Sequence, residues 1–277
     1  MKSARIICVA NQKGGVGKTT TSVNLASALS EIPRRTLLVD MDPQGNASSG
    51  LGMKTYQHHD KNIYAAIIGT KQIRDVIAPS PIPNLDVAVA TPDLVGAEIE
   101  LVGATDREYR LKTAIQQVIH DYDYIIIDCP PSLGLLTLNS LTAANTFLVP
   151  LQCEYYALEG LSQLLNTAGL IKKKLNPALK IEGIVLTMFD TRNNLSHQVV
   201  EEIRSHFQDK VFTAVIPRNV RLSEAPSHGK SILQYDPKSL GAQRYRELAS
   251  ELDVRVIADQ SKQFSSIDQA GAANVEL

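Results

Sequence analysis

The chain has 277 residues and a formal net charge of −1, enough length for one large α/β unit and the wrong balance for a wholly basic nucleic-acid coat. Cys8, Cys129 and Cys153 lie far apart, in or beside apolar runs, which argues against a disulfide framework or a metal-ligand pair and predicts reduced structural thiols. The apolar run near the start is too short and wrongly flanked for a signal peptide, and no run approaches the roughly 20 residues of a membrane span, so a soluble, cytoplasmic protein is expected.

Short β-branched, apolar runs recur at residues 6–10, 36–40, 85–90, 124–128, 147–151, 184–187 and 211–216. Most lack polar alternation, which predicts strands buried on both faces of a parallel sheet. Helical patterns at 19–29, 107–120, 158–175 and 196–207 fall between several of them. The alternation predicts a doubly wound α/β fold, a mostly parallel sheet with helices on both faces. No internal repeat or Gly/Ser linker divides the chain, so residues 1–259 are expected as one domain. The proline-rich 78–84 reads as a surface turn, and 260–277, poor in large apolar residues, as a loose tail.

The stretch NQKGGVGKTT, residues 11–20, nearly fits the phosphate-loop pattern G-x-x-x-x-G-K-[ST], with Gln12 where the first glycine should stand and an extra cation, Lys13, after it. A strand runs in and a helix runs out. Gly14, Gly15 and Gly17, with Val16 between them, let backbone N–H groups close around phosphates at a helix N-terminus. Lys18 is then expected on the β- and γ-phosphates of ATP, Thr19 on Mg²⁺, and Thr20 beside them. Two readings of Lys13 stand at this point: a solvent-facing lysine, or a cation that reaches a nucleotide held by another subunit.

Asp40 and Asp42, in LLVDMDPQGN, follow a buried strand and fall at its carboxyl end, where ligands of open α/β sheets bind. Asp40 is expected in the Mg²⁺ shell and Asp42 on the attacking water. Asp128, which ends the apolar YIIID, is placed as a carboxylate that holds Mg²⁺ through water.

KGGVGKTT resembles the deviant Walker A motif, K-G-G-x-G-K-[ST], of the MinD/ParA family of P-loop NTPases, in which the missing glycine is part of the variant. The resemblance implies that Lys13 reaches across a nucleotide-sandwich homodimer, much as an arginine finger does. It implies too that Asp42, the second aspartate of D-x-D-P-Q-G-N, carries hydrolysis. VIPRNVRLSEAPSHGKSI closely resembles the ParA/Soj chromosome-partitioning branch, which places Pro217 and Asn219 against adenine and gives Arg192 and Arg221 to nonspecific double-stranded DNA. A ParB-like centromere-binding partner and a nucleoid location are implied with it.

Residues 210–246 hold seven basic residues against two acids, the asymmetry expected of a DNA-facing patch. A membrane-bound, MinD-like positioning ATPase is the alternative, but it calls for a basic amphipathic end, and QSKQFSSIDQAGAANVEL has one lysine and two acids. An orphan positioner of other cargo is not separable by motif. Lys172, Lys173 and Lys174 fit either DNA contact or favourable charge at a helix C-terminus.

Overall fold

The structure, a computed structural model, describes residues 3–273. In chain order the first half runs β1 (Arg5–Val9), α1 (Lys18–Glu31), β2 (Thr36–Asp40), α2 (Asn46–Gly50), α3 (Ile63–Ile68), α4 (Ile73–Val76), β3 (Ile77–Pro79), β4 (Leu85–Ala88), α5 (Leu94–Glu100) and α6 (Arg110–Gln116). The second half runs β5 (Tyr124–Asp128), α7 (Leu135–Ala143), β6 (Thr146–Gln152), α8 (Ala157–Lys174), β7 (Lys180–Phe189), α9 (Asn194–Phe207), β8 (Val211–Pro217), α10 (Val220–Glu224), α11 (Ile232–Tyr235) and α12 (Leu240–Ala273).

All eight strands join one sheet in the order β3-β4-β2-β5-β1-β6-β7-β8. Every pairing is parallel except β3 with β4. β1 sits between β5 and β6, so the chain winds outward first to one side and then to the other. Open sheets of this kind bind ligands where the winding reverses, outside the carboxyl ends of the strands.

Both faces of the sheet are apolar because alternate residues of each strand enter different cores. Ile6 and Cys8 of β1 pack on one side with α3 to α9, while Ile7 and Val9 pack on the other with α1, α2 and α10 to α12. α12 buries Ala242, Tyr245, Ala249, Leu252 and Val256, the three-and-four spacing of a helix that seats one stripe. Arg246, on the same helix, donates to Glu31 of α1 at 2.6 and 3.0 Å and so ties the two helices together.

The seven expected strands all form, with ends moved by a few residues. β3 was not expected, and it takes Ala78 and Pro79 out of the turn read at 78–84. Pro79 has no N–H to give a ladder, which a three-residue edge strand tolerates and a central strand would not. At the other end, α12 continues past residue 259 to Ala273, so a helix occupies most of the segment expected as a loose tail. Gln260, Lys262 and Gln263 are good helix formers and no proline interrupts them. Residues 274–277 lie outside the described residues.

Candidate active site

β1 delivers the loop of residues 11–17 to the carboxyl edge of the sheet, and α1 leaves from it. Gly15 and Gly17 have φ of 75° and 91°, the left-handed region that glycine adopts without a Cβ penalty, and Gly17 is the N-cap of α1. Val16 is buried beneath the loop, and its carbonyl accepts from the Thr187 hydroxyl at 2.9 Å. Asn11 braces the near side: its amide donates to the Pro150 carbonyl at 2.8 Å and its carbonyl oxygen accepts from the Lys13 N–H at 3.0 Å. Gln12 explains the lost glycine, since its side chain donates to Thr167 of α8 at 2.9 Å. A side chain that anchors the loop to a neighbouring helix stands where the standard motif needs only a flexible backbone.

The two lysines of the loop go in different directions. Lys18 is buried and folds back, its Nζ donating to the Lys13 carbonyl at 3.1 Å. Burial lowers its pKa, against the opposing attraction of Asp128 and Asp42. Lys13 projects from the loop, exposed, to an ion pair of 2.7 Å with Glu154. Gly14 and Gly15 beside it are also exposed, with no atom within 4 Å of where a Cβ would stand.

Asp40 and Asp128 are register partners at the ends of β2 and β5, both fully buried. Asp128 accepts from the Thr19 hydroxyl at 2.9 Å and the Ser22 hydroxyl at 2.7 Å. Asp40 accepts from the Ser48 N–H and hydroxyl at 2.8 and 2.7 Å and from the Asp42 N–H at 3.2 Å. Burial raises both carboxyls above their ordinary range, and the Asp40 charge raises Asp128 further. Asp42 lies at the rim, 8 % exposed, and accepts from the Gln44 N–H at 3.0 Å. Two buried carboxylates with a threonine hydroxyl form a hard oxygen set, costly when charged alone and suited to Mg²⁺. Thr19 keeps lone pairs for a cation while it donates to Asp128. The oxygens of both carboxylates are engaged, those of Asp40 by Ser48 and the Asp42 N–H, those of Asp128 by Thr19 and Ser22, and it is Asp128 that is bonded to Thr19.

A pocket of about 500 Å³ opens beside the loop, lined by Gly17, Thr20, Pro217 and Asn219 among others. The structure thus brings the late motif against the early one, across some 200 residues of sequence. Asn219 also caps α10, its side chain accepting from the Arg221 N–H at 2.8 Å. Met188, on the same pocket wall, has φ of 52°, an uncommon conformation for a non-glycine residue that clusters at functional sites. Volume alone does not locate the site, because a larger cleft, about 1190 Å³ between α3, α4 and α6, contains none of the expected residues.

Sequence reasoning missed Ser22, Ser48 and Glu154, which have no motif status and reach the site only through the fold. It also read the cysteines as far apart, whereas Cys8 and Cys129, 121 residues apart in sequence, meet at 3.0 Å beneath the loop because β1 lies beside β5. Both are free and buried, and burial pushes the Cys8 thiol well above its ordinary range. They belong to the core, as inert thiols.

The basic segment is less positive than its sequence suggests. Arg246 is held by Glu31, Arg244 by Glu247 at 2.6 Å and Lys210 by Asp209 at 3.2 Å, acids that lie outside the window counted. Arg192 is 86 % exposed yet paired with Asp190 at 2.8 Å, and Arg221 is paired with Glu224 at 2.9 Å. Arg218 lines the nucleotide-side pocket and a smaller one that contains Arg192 and Glu154.

Residues 4–181 match a family model described as an AAA domain. The chain is 60 % identical over 248 residues, 90 % of its length and 87 % of the relative's, to the chromosome partitioning protein ParA of Myxococcus xanthus. It is 58 % identical over 248 residues, 90 % of its length and 98 % of the relative's, to the sporulation initiation inhibitor protein Soj of Bacillus subtilis. Among solved structures, cobyrinic acid a,c-diamide synthase from Mycobacterium smegmatis, with bound ADP and magnesium, superposes with a TM-score of 0.78 at 38 % identity, over 89 % of this chain and 93 % of that one. No helix among the described residues is long and apolar enough to cross a membrane. With its loop, its acid pair and a match over nine-tenths of its length, the chain belongs to the ParA/Soj family of chromosome-partitioning ATPases.

Proposed function

We propose that the chain is an ATP-dependent dimer switch: with Mg-ATP it pairs through the phosphate loop, binds double-stranded DNA without regard to sequence, and is released after hydrolysis stimulated by a ParB-like centromere-binding partner. Residues 1–259 hold the ATPase, and the protein works in the cytoplasm on the nucleoid. The observation that carries this reading is the opposite course of two lysines in one loop. Lys18 folds back over the loop to the Lys13 carbonyl, and Lys13 projects outward to Glu154.

The chemistry follows from the placement. Backbone N–H groups from Gly14 to Thr20 surround the phosphates, Lys18 neutralises the β- and γ-oxygens, and Pro217 and Asn219 bound the base. Thr19, Asp128 and Asp40 would hold Mg²⁺, and the ion would supply neutralisation of phosphate charge. Asp42, at the rim, orients the water whose oxygen bonds to the γ-phosphorus as the bond to the bridging oxygen breaks, a proton of that water passing to the released phosphate and ADP leaving. Charge developing on that oxygen is met by Lys18 and by Lys13 of a second copy, fixed cations in a site that excludes water. Arg192 and Arg221, each exchanging a carboxylate for a phosphate, then contact DNA. One protomer offers few such contacts, so doubling them in the dimer makes binding steeply dependent on ATP.

The test is DNA binding by the Asp42→Ala protein, with and without ATP, on two unrelated duplexes across a salt series. Binding that requires ATP, is equal on both duplexes and falls steeply with salt is expected. Binding that ignores ATP or prefers one duplex sinks the proposal.

A further inference from the structure

The end of the sheet away from the phosphate loop carries a cluster of lysines. Lys172, Lys173 and Lys174 close α8, and Lys180 opens β7, all four exposed. The acids nearby are already engaged. Glu182 is bound to Arg5 at 2.8 Å, Asp209 to Lys210 at 3.2 Å and Glu251 to Arg255 at 2.7 Å. Among the described residues the four lysines have no carboxylate partner. Charge placement at a helix C-terminus accounts for the last turn of α8, but not for Lys180, which belongs to the next strand. Nor does it account for the way Lys172, Lys180 and Lys210 converge on one groove of about 930 Å³ with Arg5 and Arg255, where the three acids of the lining, Glu182, Asp209 and Asp259, are paired with Arg5 and Lys210 and leave Lys172 and Lys180 unmatched.

The turn that presents them is rigid. Buried Asn176 donates from one amide nitrogen to the carbonyls of Leu141 and Ala144 at 3.0 and 2.7 Å, and the Lys180 N–H donates to the Asn145 carbonyl at 3.2 Å. The lysines are therefore held as a set on a fixed backbone.

We propose that this lysine end is a second contact surface for the phosphate backbone of duplex DNA. The proposal rests on the DNA-binding reading above and extends it. A lipid surface is the poorer fit, because the apolar stripe of α8 (Ala157, Leu161, Leu164, Ala168 and Ile171) is buried against the sheet, and only Leu170 nearby is left exposed to enter a bilayer. Surface-bound helices need a full apolar face. Phosphate contacts need charge alone. Pairing through the loop, at the carboxyl ends of the strands, leaves the lysine ends of a dimer pointing outward at opposite poles. One dimer thereby holds two duplexes in addition to any lying along Arg192 and Arg221, so it bridges separate DNA segments.

The experiment compares the Asp42→Ala protein with the same protein carrying Lys172→Gln, Lys173→Gln, Lys174→Gln and Lys180→Gln, both with ATP. Affinity for a short duplex is followed across a salt series, and bridging is read as retention of a labelled duplex on beads that carry another. The expected result is a salt slope shallower by about 0.9 for each lysine whose phosphate contact is lost, loss of bridging, and unchanged ATP retention and Tm. An unchanged slope with bridging intact overturns the proposal, as does a parent protein that loses binding to phosphatidylglycerol vesicles and not to DNA when the lysines are replaced. If the parent fails to bind DNA at all, the DNA-binding reading falls and this surface with it. If Arg221→Ala weakens binding while the four lysine replacements do not, only the second surface is wrong.

Discussion

Asp40 and Asp128 end neighbouring strands as register partners, fully buried, with their oxygens held by serine and threonine hydroxyls and backbone N–H groups. Each pKa is raised by burial. A carboxyl whose folded pKa exceeds its unfolded value, about 4, contributes stability below that value and loses it as pH rises through the folded one. In protein freed of nucleotide and metal, the contribution of this pair is therefore expected to fall as pH climbs from about 4 through neutrality, the reverse of a salt-bridged carboxylate such as Asp190. Asp128→Asn removes one of the two charges, and Ser22 can turn its hydroxyl to accept from the new amide. At pH 8 this variant should be more stable than the parent by on the order of 1–3 kcal/mol, with the gap narrowing at pH 5 and ATP hydrolysis lost. A lower Tm than the parent at pH 8 would count against the account of the pair. Asp40 and Asp128 were legible in sequence because each ends an apolar run, and Asp42 because it follows Asp40 in D-x-D-P-Q-G-N. Their being neighbours was not, since register between β2 and β5 is a property of the folded sheet. Ser48 and Glu154 were invisible for the same reason: a serine or glutamate outside a motif gains its role only from what the fold sets opposite it.

At the scale of elements, the strands were readable because a sheet covered on both faces needs unbroken apolar runs. Short helices such as α3, α5 and α7 were not, for they take few turns and share their apolar residues with the loops that flank them. β3 escaped because its stability comes from the edge of β4 and not from its own three residues. The packing of β7 on β8 makes a sharper claim. A Cβ added at Gly183 would lie 2.5 Å from a Phe212 ring carbon and 2.7 Å from the Lys210 carbonyl oxygen. Backbone on one side and a buried ring on the other cannot both yield, so Gly183→Ala should cost about 1–3 kcal/mol. At Gly134 the added Cβ would meet only the end of the Glu98 side chain, which is free to swing away. Gly134→Ala should leave urea midpoints within error of the parent, and equal losses at the two glycines would show that the close approach of β7 to β8 is misjudged.

For the molecule as a whole, net charge near zero conceals a division of labour. Arginines at 192, 221, 244 and 246 are matched by carboxylates, while the lysines at the far end of the sheet are not. Counting charges along 210–246 located a basic segment in sequence but missed the acids that other elements bring to it. What the motifs conveyed well was chemistry that depends on local spacing, the loop and its two lysines above all. Their opposite directions are the basis for treating nucleotide as the bond between two copies, and every larger property proposed here, DNA binding, bridging and release, follows from that step. The most direct measurement is the solution mass, by light scattering, of the Asp42→Ala protein with and without Mg-ATP, beside the same protein carrying Lys13→Ala. The mass should double with Mg-ATP and remain that of a monomer when Lys13 is replaced. A monomer in both proteins, or a dimer that forms without Lys13, would contradict the account.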